Sequence, residues 1–309
     1  MDKTDKLEFG QIPWIIWKKN SCRIDVFATL AYHIFYYDFT ESIFPTITGP
    51  ALPGELHPLS ILLKEMNNAS NLQAIQNAID NYGAYRHKTL KEKTGKGGDI
   101  FSLFADLKDS VKFRWTLIAN ETCECGFNKV RTVMSNPLFT ITSALLFSNC
   151  GSCSESIKAT LSDFNGICPK DKKETSVTKI LKEIPQYYCC NLEYTEDLQT
   201  GLLQKGSLSD IMIDEYIEYG DIKFDLAAII YFQELHYTIH LKGIYHPNLL
   251  TTIRNEKWFY HDGLKASLHH GSWQKGLLFE SNPKLQVEIS KDYLKPYILV
   301  YRITLNNEI

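Results

Sequence analysis

Three side chains have the chemical types that catalysis by a thiol nucleophile requires. Cys22 begins the apolar stretch "CRIDVFATLAY", His236 lies in "LHYTIH", and Asp262 lies in "KWFYHDG". This chemistry needs a thiolate, an imidazole that takes and returns a proton, and a carboxylate or amide that orients the imidazole. In such sites the three groups are distant in sequence but adjacent in space. A catalytic role for these residues therefore requires a fold that brings them together.

Position favours Cys22 as the nucleophile. Apolar residues follow it at helical spacing, namely Ile24, Phe27, Ala28, Ala31, Ile34 and Phe35. This pattern predicts that Cys22 lies in the first turn of an amphipathic helix. N–H groups of a first turn have no acceptor within the helix, and the helix dipole is positive there, so a thiolate is stabilised. Against this, a lone cysteine on a helix is usually a buried packing residue.

The base has two candidates. His236 and His240 are four residues apart on a predicted strand and therefore face the same way. Asp262 lies near the end of the next predicted strand, and adjacent antiparallel strands can place it against the imidazole of His236. A histidine on a strand is ordinary, and an aspartate before a glycine is a common turn signal. The residues alone leave the choice between His236 and His240 open.

The elements that must position these groups divide the chain into three parts. Residues from about 12 to 107 have helical periodicity, and residues from about 113 to 194 alternate as strands do. Residues from about 211 onward resemble successive strands. Helices followed by an antiparallel sheet predict an α+β fold. With no internal repeat or linker, we expect one domain over residues 1–309.

Composition limits the possible partners and environments. The chain has 33 Lys and Arg, 36 Asp and Glu, and a formal net charge of -3, without a block of like charges that would bind nucleic acid. The N-terminus is charged where a signal peptide would be apolar, and the longest apolar runs are about half the ~20 residues of a membrane span. We therefore expect an intracellular protein of the cytoplasm or nucleus that binds neither nucleic acid nor membrane.

Two cysteine pairs suggest a metal site. A reducing compartment disfavours disulfides, so the eight cysteines point to metal binding, catalysis or packing. "CECG" contains Cys123 and Cys125, and "CGSC" contains Cys150 and Cys153. A hairpin in the intervening stretch, with its turn at residues 135–137, would bring the pairs together as a tetrahedral four-thiolate zinc site.

Taken together, the motifs resemble those of the ubiquitin-specific proteases, papain-like cysteine peptidases with thumb, palm and fingers regions. "NSCRIDVFATL" resembles the cysteine box of the family, and "KFDLAAIIYFQELHYTIHLKG" resembles its histidine box. "GGDIFSLFADL" is similar to a later thumb segment, "IPQYY" to a palm strand, "KWFYHDG" to the strand before the third catalytic residue, and "PYILVYRI" to the closing strand. The fragments keep the family's order over nearly the whole chain.

This resemblance implies a fold and a set of roles. The thumb would span about residues 12–110, and the fingers and palm about residues 111–309. Cys22 would be the nucleophile, His236 the general base and acid, and Asp262 the orienting carboxylate, because the His-Tyr pair of the histidine box selects His236. The usual oxyanion-hole amide would fall near Trp17. Asn20 is the nearest amide, and it would either stabilise the oxyanion or cap the helix.

The resemblance also implies a structural zinc at the tip of the fingers, between two cysteine pairs. In this chain the second pair of the family falls better near "ICPKD", where Cys168 is present and Asp171 stands in the last position. A mixed site that uses Cys168 and a degenerate site without metal therefore remain as alternatives to the four-thiolate set. Cys189 and Cys190, in a predicted palm strand, are expected in the core.

The implied activity is that of a monomeric thiol-dependent isopeptidase without a catalytic cofactor. It would remove ubiquitin or a ubiquitin-like modifier by cleaving after its C-terminal Gly-Gly. The "NSCRID" form of the cysteine box and the altered oxyanion position are similar to a divergent branch that includes SUMO isopeptidases, so SUMO specificity is an alternative. A further alternative is an inactive protein that binds a ubiquitin-like modifier and does not need Cys22.

Overall fold

Helices form the N-terminal part of the chain, as the sequence predicts. The computed structural model describes residues 22–37, 57–69, 72–90, 100–108, 110–134, 137–193, 210–233, 236–245, 255–262, 279–288 and 295–304. The helices of this part are α1 (Cys22–Tyr32), which continues as a π-helical turn (His33–Tyr37), α2 (Pro58–Asn68), α3 (Leu72–Leu90) and α4 (Phe101–Phe104), which continues as a 3-10 turn (Ala105–Leu107). We call these elements the helical layer.

Helix α2 shows why these segments are helical. Pro58 at its first position has no N–H to leave unpaired, and the side chain of His57 accepts a hydrogen bond from the N–H of Leu59 over 3.3 Å. The buried apolar residues recur at helical spacing: Leu59, Leu62, Leu63 and Met66. They belong to the same hydrophobic core as α1 and α3, so one apolar face positions the helix.

A buried ion pair fastens α3 to the turn after α4. Arg86 of α3 is 2% exposed, and it donates to Asp106 Oδ2 over 2.5 Å and to the carbonyl of Ser102 over 2.9 Å. The hydroxyl of Tyr82, one turn earlier on α3, donates to the same oxygen of Asp106. Charge-assisted hydrogen bonds of this kind are stronger than neutral ones. Asp106 therefore fixes residues 100–107, the described part of the segment "GGDIFSLFADL", to α3.

Strands dominate the rest of the chain. They are β1 (Thr116–Thr122), β2 (Asn128–Met134), β3 (Leu138–Ile141), β4 (Phe164–Ile167), β5 (Glu174–Glu183), β6 (Tyr187–Leu192), β7 (Asp210–Met212), β8 (Tyr216–Tyr219), β9 (Ile222–Gln233), β10 (His236–Tyr245), β11 (Asn255–His261), β12 (Phe279–Glu280), β13 (Gln286–Glu288) and β14 (Lys295–Thr304). Helices followed mainly by strands confirm the predicted α+β class.

Within the described ranges, eight strands form one large sheet. Its order is β12-β11-β10-β9-β14-β6-β3, with β8 paired to the first residues of β9. All of these pairings are antiparallel except that of β3 with β6, which is parallel. β14 follows all the others in sequence but lies between β9 and β6. The strands that carry the candidate base and its partner, β10 and β11, are neighbours.

Hydrophobic cores cover both faces of this sheet. Successive residues of a strand point to opposite faces, and in β6 Cys189 belongs to the core that includes the helical layer, while Cys190 belongs to a second core. Both residues are buried, which confirms the prediction that they pack in the core.

Two short helices that the sequence pattern did not predict contribute to the second core. They are α5 (Ser143–Ser148) and α6 (Cys153–Leu161). The side chain of Ser152 accepts a hydrogen bond from the N–H of Glu155 and so caps α6. A serine followed three residues later by a glutamate is a known helix-start signal, and it was available in "SCSE".

A separate four-stranded antiparallel sheet has the order β2-β1-β5-β4. β1 pairs with both β2 and β5, and Thr122 at the end of β1 lies opposite Ser176 of β5 and Asn128 of β2. The β1–β2 turn and the β4–β5 turn are therefore at the same end of this sheet. We call this end the tip.

The substitution Asp106→Asn is expected to destabilise the protein. The amide keeps the shape of the side chain but loses the charge that pairs with the buried Arg86, and breaking a buried pair from one side costs about 3 kcal/mol or more. Because the Asp106 side chain is 16% exposed, we expect a free energy of unfolding lower by ~2 kcal/mol. Urea denaturation followed by circular dichroism measures it.

Glu155→Gln is the matched control for this change. It breaks the exposed pair between Lys158 and Glu155, whose atoms are 2.9 Å apart, and should lower the free energy of unfolding by less than about 1 kcal/mol. Equal effects of the two substitutions would contradict the role assigned to Asp106.

Candidate functional site

The start of α1, the start of β10 and the end of β11 meet at one place. His236 is the first residue of β10, and its Nε2 lies 2.8 Å from Oδ1 of Asp262, which directly follows β11. The thiol of Cys22, the first residue of α1, lies close enough to the same imidazole to raise its pKa. The three residues named from the sequence are thus brought together at one place, with His236 hydrogen-bonded to Asp262 and Cys22 beside the imidazole.

Strand register explains the contact between His236 and Asp262. β10 and β11 pair antiparallel, with Ile239 opposite His261 and His240 opposite Tyr260. Continued by one residue, this register places Asp262 opposite Thr238, two residues from His236 on the same face of the strand. Diagonal neighbours of this kind are within reach of long side chains, so the carboxylate can accept a hydrogen bond from the imidazole.

Helix α1 is fixed to β10 at both of its ends. Cys22 at the start of the helix contacts His236, and Nε2 of His33, just past its end, lies 3.2 Å from the carbonyl oxygen of Lys242. A carbonyl can only accept, so this nitrogen of His33 must carry a proton. The contacts are about 16 Å apart along the helix and about 20 Å apart along the strand, so the two elements run side by side.

Electrostatics favour a charged imidazole at His236. The hydrogen bond to Asp262 and then that to Cys22 raise the pKa of His236 to about 9, although partial burial opposes the shift. At neutral pH the imidazole therefore holds a proton against Asp262 and beside the Cys22 sulfur. The side chain of His236 is 26% exposed and Cys22 is 5% exposed, so the sulfur is sheltered while the imidazole remains open to solvent.

The other two histidines of β10 and β11 are neutral. Burial lowers the pKa of His240 and that of His261 to about 4. The ring of His240 packs between those of Tyr231 and Tyr260, at centroid distances of 5.4 Å and 4.9 Å. His240, the rival base in the sequence, is thus buried among aromatic rings, and His236 is the one that contacts Cys22. Asn20, the candidate oxyanion donor, lies outside the described residues.

Sequence reasoning missed Tyr260, whose hydroxyl donates to Oδ2 of Asp262 over 3.3 Å. The signal was present, because residues two apart on a strand share a face and Tyr260 precedes Asp262 by two positions. It also missed His33, for which the sequence alone gives no signal.

A second group of chemically active side chains lies at the tip of the four-stranded sheet. Cys123 and Cys125 belong to the β1–β2 turn, and Cys168 and Asp171 belong to the β4–β5 turn. Their sulfur and carboxylate atoms all lie within 4.8 Å of one another. The mixed alternative that uses Cys168 and Asp171 describes this group, and the set with Cys150 and Cys153 does not.

These donors fit a tetrahedral metal ion. Sγ of Cys125 is 3.6 Å from Sγ of Cys168, and Sγ of Cys123 is 3.6 Å from Oδ1 of Asp171. Zinc with bonds of about 2.3 Å to sulfur and about 2.0 Å to oxygen sets sulfur–sulfur separations near ~3.8 Å and sulfur–oxygen separations near ~3.5 Å. Hydrogen bonds from the Cys168 thiol and from the N–H of Lys173 lower the pKa of Asp171, so its carboxylate is charged.

The second cysteine pair of the predicted set lies elsewhere. Cys150 is exposed, and Cys153 is fully buried in the second core, where desolvation raises the pKa of its thiol. The prediction assumed that β2 turns back onto the next stretch, at residues 135–137. In the structure β2 pairs with β1, and β3 joins the large sheet beside β6. This different strand pairing carries Cys150 and Cys153 away from the tip.

No helix in the described part of the chain is both long enough and apolar enough to cross a membrane.

Comparisons with known proteins find a similarity to solved structures only. No protein-family model and no curated protein sequence match the chain. Among solved structures it is similar to the SAGA DUB module of Ubp8, Sgf11, Sus1 and Sgf73 bound to monoubiquitin, at 12% identity and a TM-score of 0.46 over 98% of this chain and 71% of that one. It is also similar to the yeast SAGA DUB module with a mutant Sgf73, at 13% identity and a TM-score of 0.49 over the same shares. Similarity at this level does not assign the chain to a family.

Asp262→Asn should lower the pKa of His236. The amide can still form a hydrogen bond but carries no charge, so the pKa is expected to fall from about 9 by about 1–2 units, toward the ordinary histidine value. Nuclear magnetic resonance titration of the His236 ring measures it. Asp225→Asn, on neighbouring β9, removes a carboxylate that pairs with Lys223 and should leave the His236 value unchanged. An unchanged value in Asp262→Asn would refute the electrostatic coupling.

Proposed function

We propose that this protein is a cysteine-type isopeptidase that removes ubiquitin or a ubiquitin-like modifier by cleaving after its C-terminal Gly-Gly. The observation that carries the proposal is the meeting of Cys22 with the hydrogen-bonded pair of His236 and Asp262, which lies more than 200 positions away in sequence. The motif resemblance to the ubiquitin-specific proteases supports the choice of substrate. In this reading the helical layer is the thumb, the large sheet the palm, and the four-stranded sheet the fingers.

The first half of the reaction forms a thioester. The Cys22 sulfur attacks the carbonyl carbon of the terminal glycine, and a carbon–sulfur bond forms as the carbonyl oxygen becomes an oxyanion. The raised pKa of His236 keeps a proton available, and the imidazolium delivers it to the departing lysine nitrogen as the carbon–nitrogen bond breaks. Asp262 keeps the imidazole oriented and stabilises its charged form.

The second half hydrolyses the thioester. His236, now neutral, takes a proton from water, and the resulting hydroxide forms a carbon–oxygen bond at the thioester carbon. The carbon–sulfur bond then breaks and restores the Cys22 thiolate beside the imidazolium. The backbone N–H of Cys22, in the first turn of α1, is available to the oxyanion in both halves, and Asn20 is the proposed second donor, worth about 3 kcal/mol.

We also propose that Cys123, Cys125, Cys168 and Asp171 hold a structural zinc ion. The donor types and their separations support this assignment. Zinc at this place would tie the β1–β2 turn to the β4–β5 turn, and a closed four-ligand site of this kind stabilises a fold without taking part in catalysis.

A ubiquitin probe with a C-terminal electrophile should label the wild-type protein covalently. The electrophile stands where the scissile carbonyl would be, so the Cys22 sulfur is the expected point of attachment, and Cys22→Ala should abolish the adduct. Mass spectrometry of the labelled protein measures it. A parallel SUMO probe identifies the preferred modifier.

Two controls accompany this experiment. Cys150→Ala removes an exposed cysteine and should leave labelling intact. In turnover assays His236→Ala should be inactive, whereas His240→Phe, which keeps an aromatic ring between Tyr231 and Tyr260, should retain measurable activity. Labelling that survives Cys22→Ala would disprove the nucleophile assignment, and a binding protein without activity would bind ubiquitin but form no adduct.

Purified protein is expected to contain about one zinc ion per chain. Cys168→Ser replaces a thiolate with a weakly bound hydroxyl, so zinc content should fall well below one, as measured by inductively coupled plasma mass spectrometry. Cys150→Ser should leave zinc content unchanged, because Cys150 is exposed and is not a member of the group at the tip. Loss of zinc in Cys150→Ser, or none in the wild type, would overturn the assignment.

A further inference from the structure

Each carboxylate oxygen of Asp262 has a hydrogen-bond partner of its own. Oδ1 lies 2.8 Å from Nε2 of His236, and Oδ2 accepts a hydrogen bond from the Tyr260 hydroxyl over 3.3 Å. The carboxylate torsion of an aspartate has a broad distribution, so one hydrogen bond alone leaves the plane of the group free to turn. A second donor on the other oxygen restricts this rotation.

A cross-strand cluster of aromatic rings holds Tyr260 in place. Tyr260 of β11 lies directly opposite His240 of β10, and their ring centroids are 4.9 Å apart. His240 in turn packs edge-on against Tyr231 of β9, at 5.4 Å and an interplanar angle of 72°. The cluster thus spans three neighbouring strands, and it gives the buried ring of His240 a packing role that does not depend on the protonation of its nitrogens.

The direction of the hydrogen bond is fixed by protonation. Burial raises the pKa of Tyr260 to about 12, opposed by the side chain of Thr238 and assisted by the nearby charge of Asp262, so the phenol keeps its proton at neutral pH. The hydroxyl is therefore the donor and the Asp262 carboxylate the acceptor.

We propose that Tyr260 is a positioning residue that fixes the carboxylate plane of Asp262 so that Oδ1 faces the imidazole of His236. This proposal rests on the proposed function only in assigning a catalytic role to the three residues it acts upon. In this scheme Tyr260 acts on the imidazole through Asp262. Removal of its hydroxyl should therefore affect His236 only while residue 262 carries a charged carboxylate.

The test uses Tyr260→Phe, which removes one oxygen and keeps the ring that packs against His240. The readout is the pH dependence of Cys22 alkylation by iodoacetate, quantified by mass spectrometry of the peptide that carries Cys22. Iodoacetate is an anion that the imidazolium of His236 attracts, so the alkylation rate falls at high pH as His236 loses its proton. We expect this alkaline limb to move to lower pH by about 0.5 unit, because a less well-oriented carboxylate stabilises the imidazolium less.

Turnover provides a second readout. With ubiquitin that carries a C-terminal fluorogenic amide, we expect kcat of Tyr260→Phe to fall about 5–10-fold with KM unchanged, since the lost hydrogen bond orients the base and does not bind substrate. Tyr219→Phe is the matched control. It removes a tyrosine hydroxyl that donates to the carbonyl of Leu161 over 3.2 Å, away from the site, and should match the wild type in both assays.

A double substitution separates positioning from general destabilisation. In the Asp262→Asn background, Tyr260→Phe should add no further shift of the alkaline limb, because the group it positions has lost its charge. An alkaline limb that matches the wild type in Tyr260→Phe, or an equal shift in both backgrounds, would overturn the proposal. If the wild type cleaves no ubiquitin-like substrate, the proposed function fails, yet the alkylation profiles still decide the role of Tyr260.

Discussion

The hydrogen bond between His236 and Asp262 is the interaction on which the arrangement of the site depends. Each group would be costly to bury as an isolated charge, and Asp262 is only 7% exposed, so the two charges are tolerated as a pair. The pair needs the observed register of β10 and β11, since a slip by one residue would turn Asp262 to the opposite face of the sheet. Attachment of α1 at Cys22 and His33 then brings the sulfur to the same strand.

Much of this arrangement could be predicted from the sequence. Helical spacing of apolar residues after Cys22 located α1, and alternation of side chains located β10 and β11. These spacings are visible because the faces of the helix and of the strands pack against hydrophobic cores. The pairing of His236 with Asp262 needed more than periodicity, since His236 and His240 face the same way and a pattern cannot tell them apart. Burial distinguishes them: one ring lies at the start of the strand beside a thiol, and the other is enclosed by aromatic rings.

The metal group shows where pattern reasoning fails. Spacing identified Cys123 and Cys125 as donors, but their partners depend on which strands pair, and pairing is decided by contacts between distant segments. β2 pairs with β1 through a tight turn in which Gly126 has a φ of 82°. β3 pairs with β6 in the other sheet. Cys168 and Asp171 then reached the tip through their own hairpin. Their spacing was visible in the sequence, but which hairpins lie side by side was not.

The central position of β14 has a consequence for biosynthesis. β10, β11 and β14 all leave the ribosome after α1, and β14 emerges after the other described strands of its sheet although it lies between β9 and β6. Until it emerges, both of those strands present unpaired backbone edges, which can recruit other chains. A nascent chain that stalls before residue 295 would therefore contain Cys22, His236 and Asp262 while the large sheet is still incomplete. For the proposed isopeptidase, delayed assembly of this kind would keep the site inactive during translation.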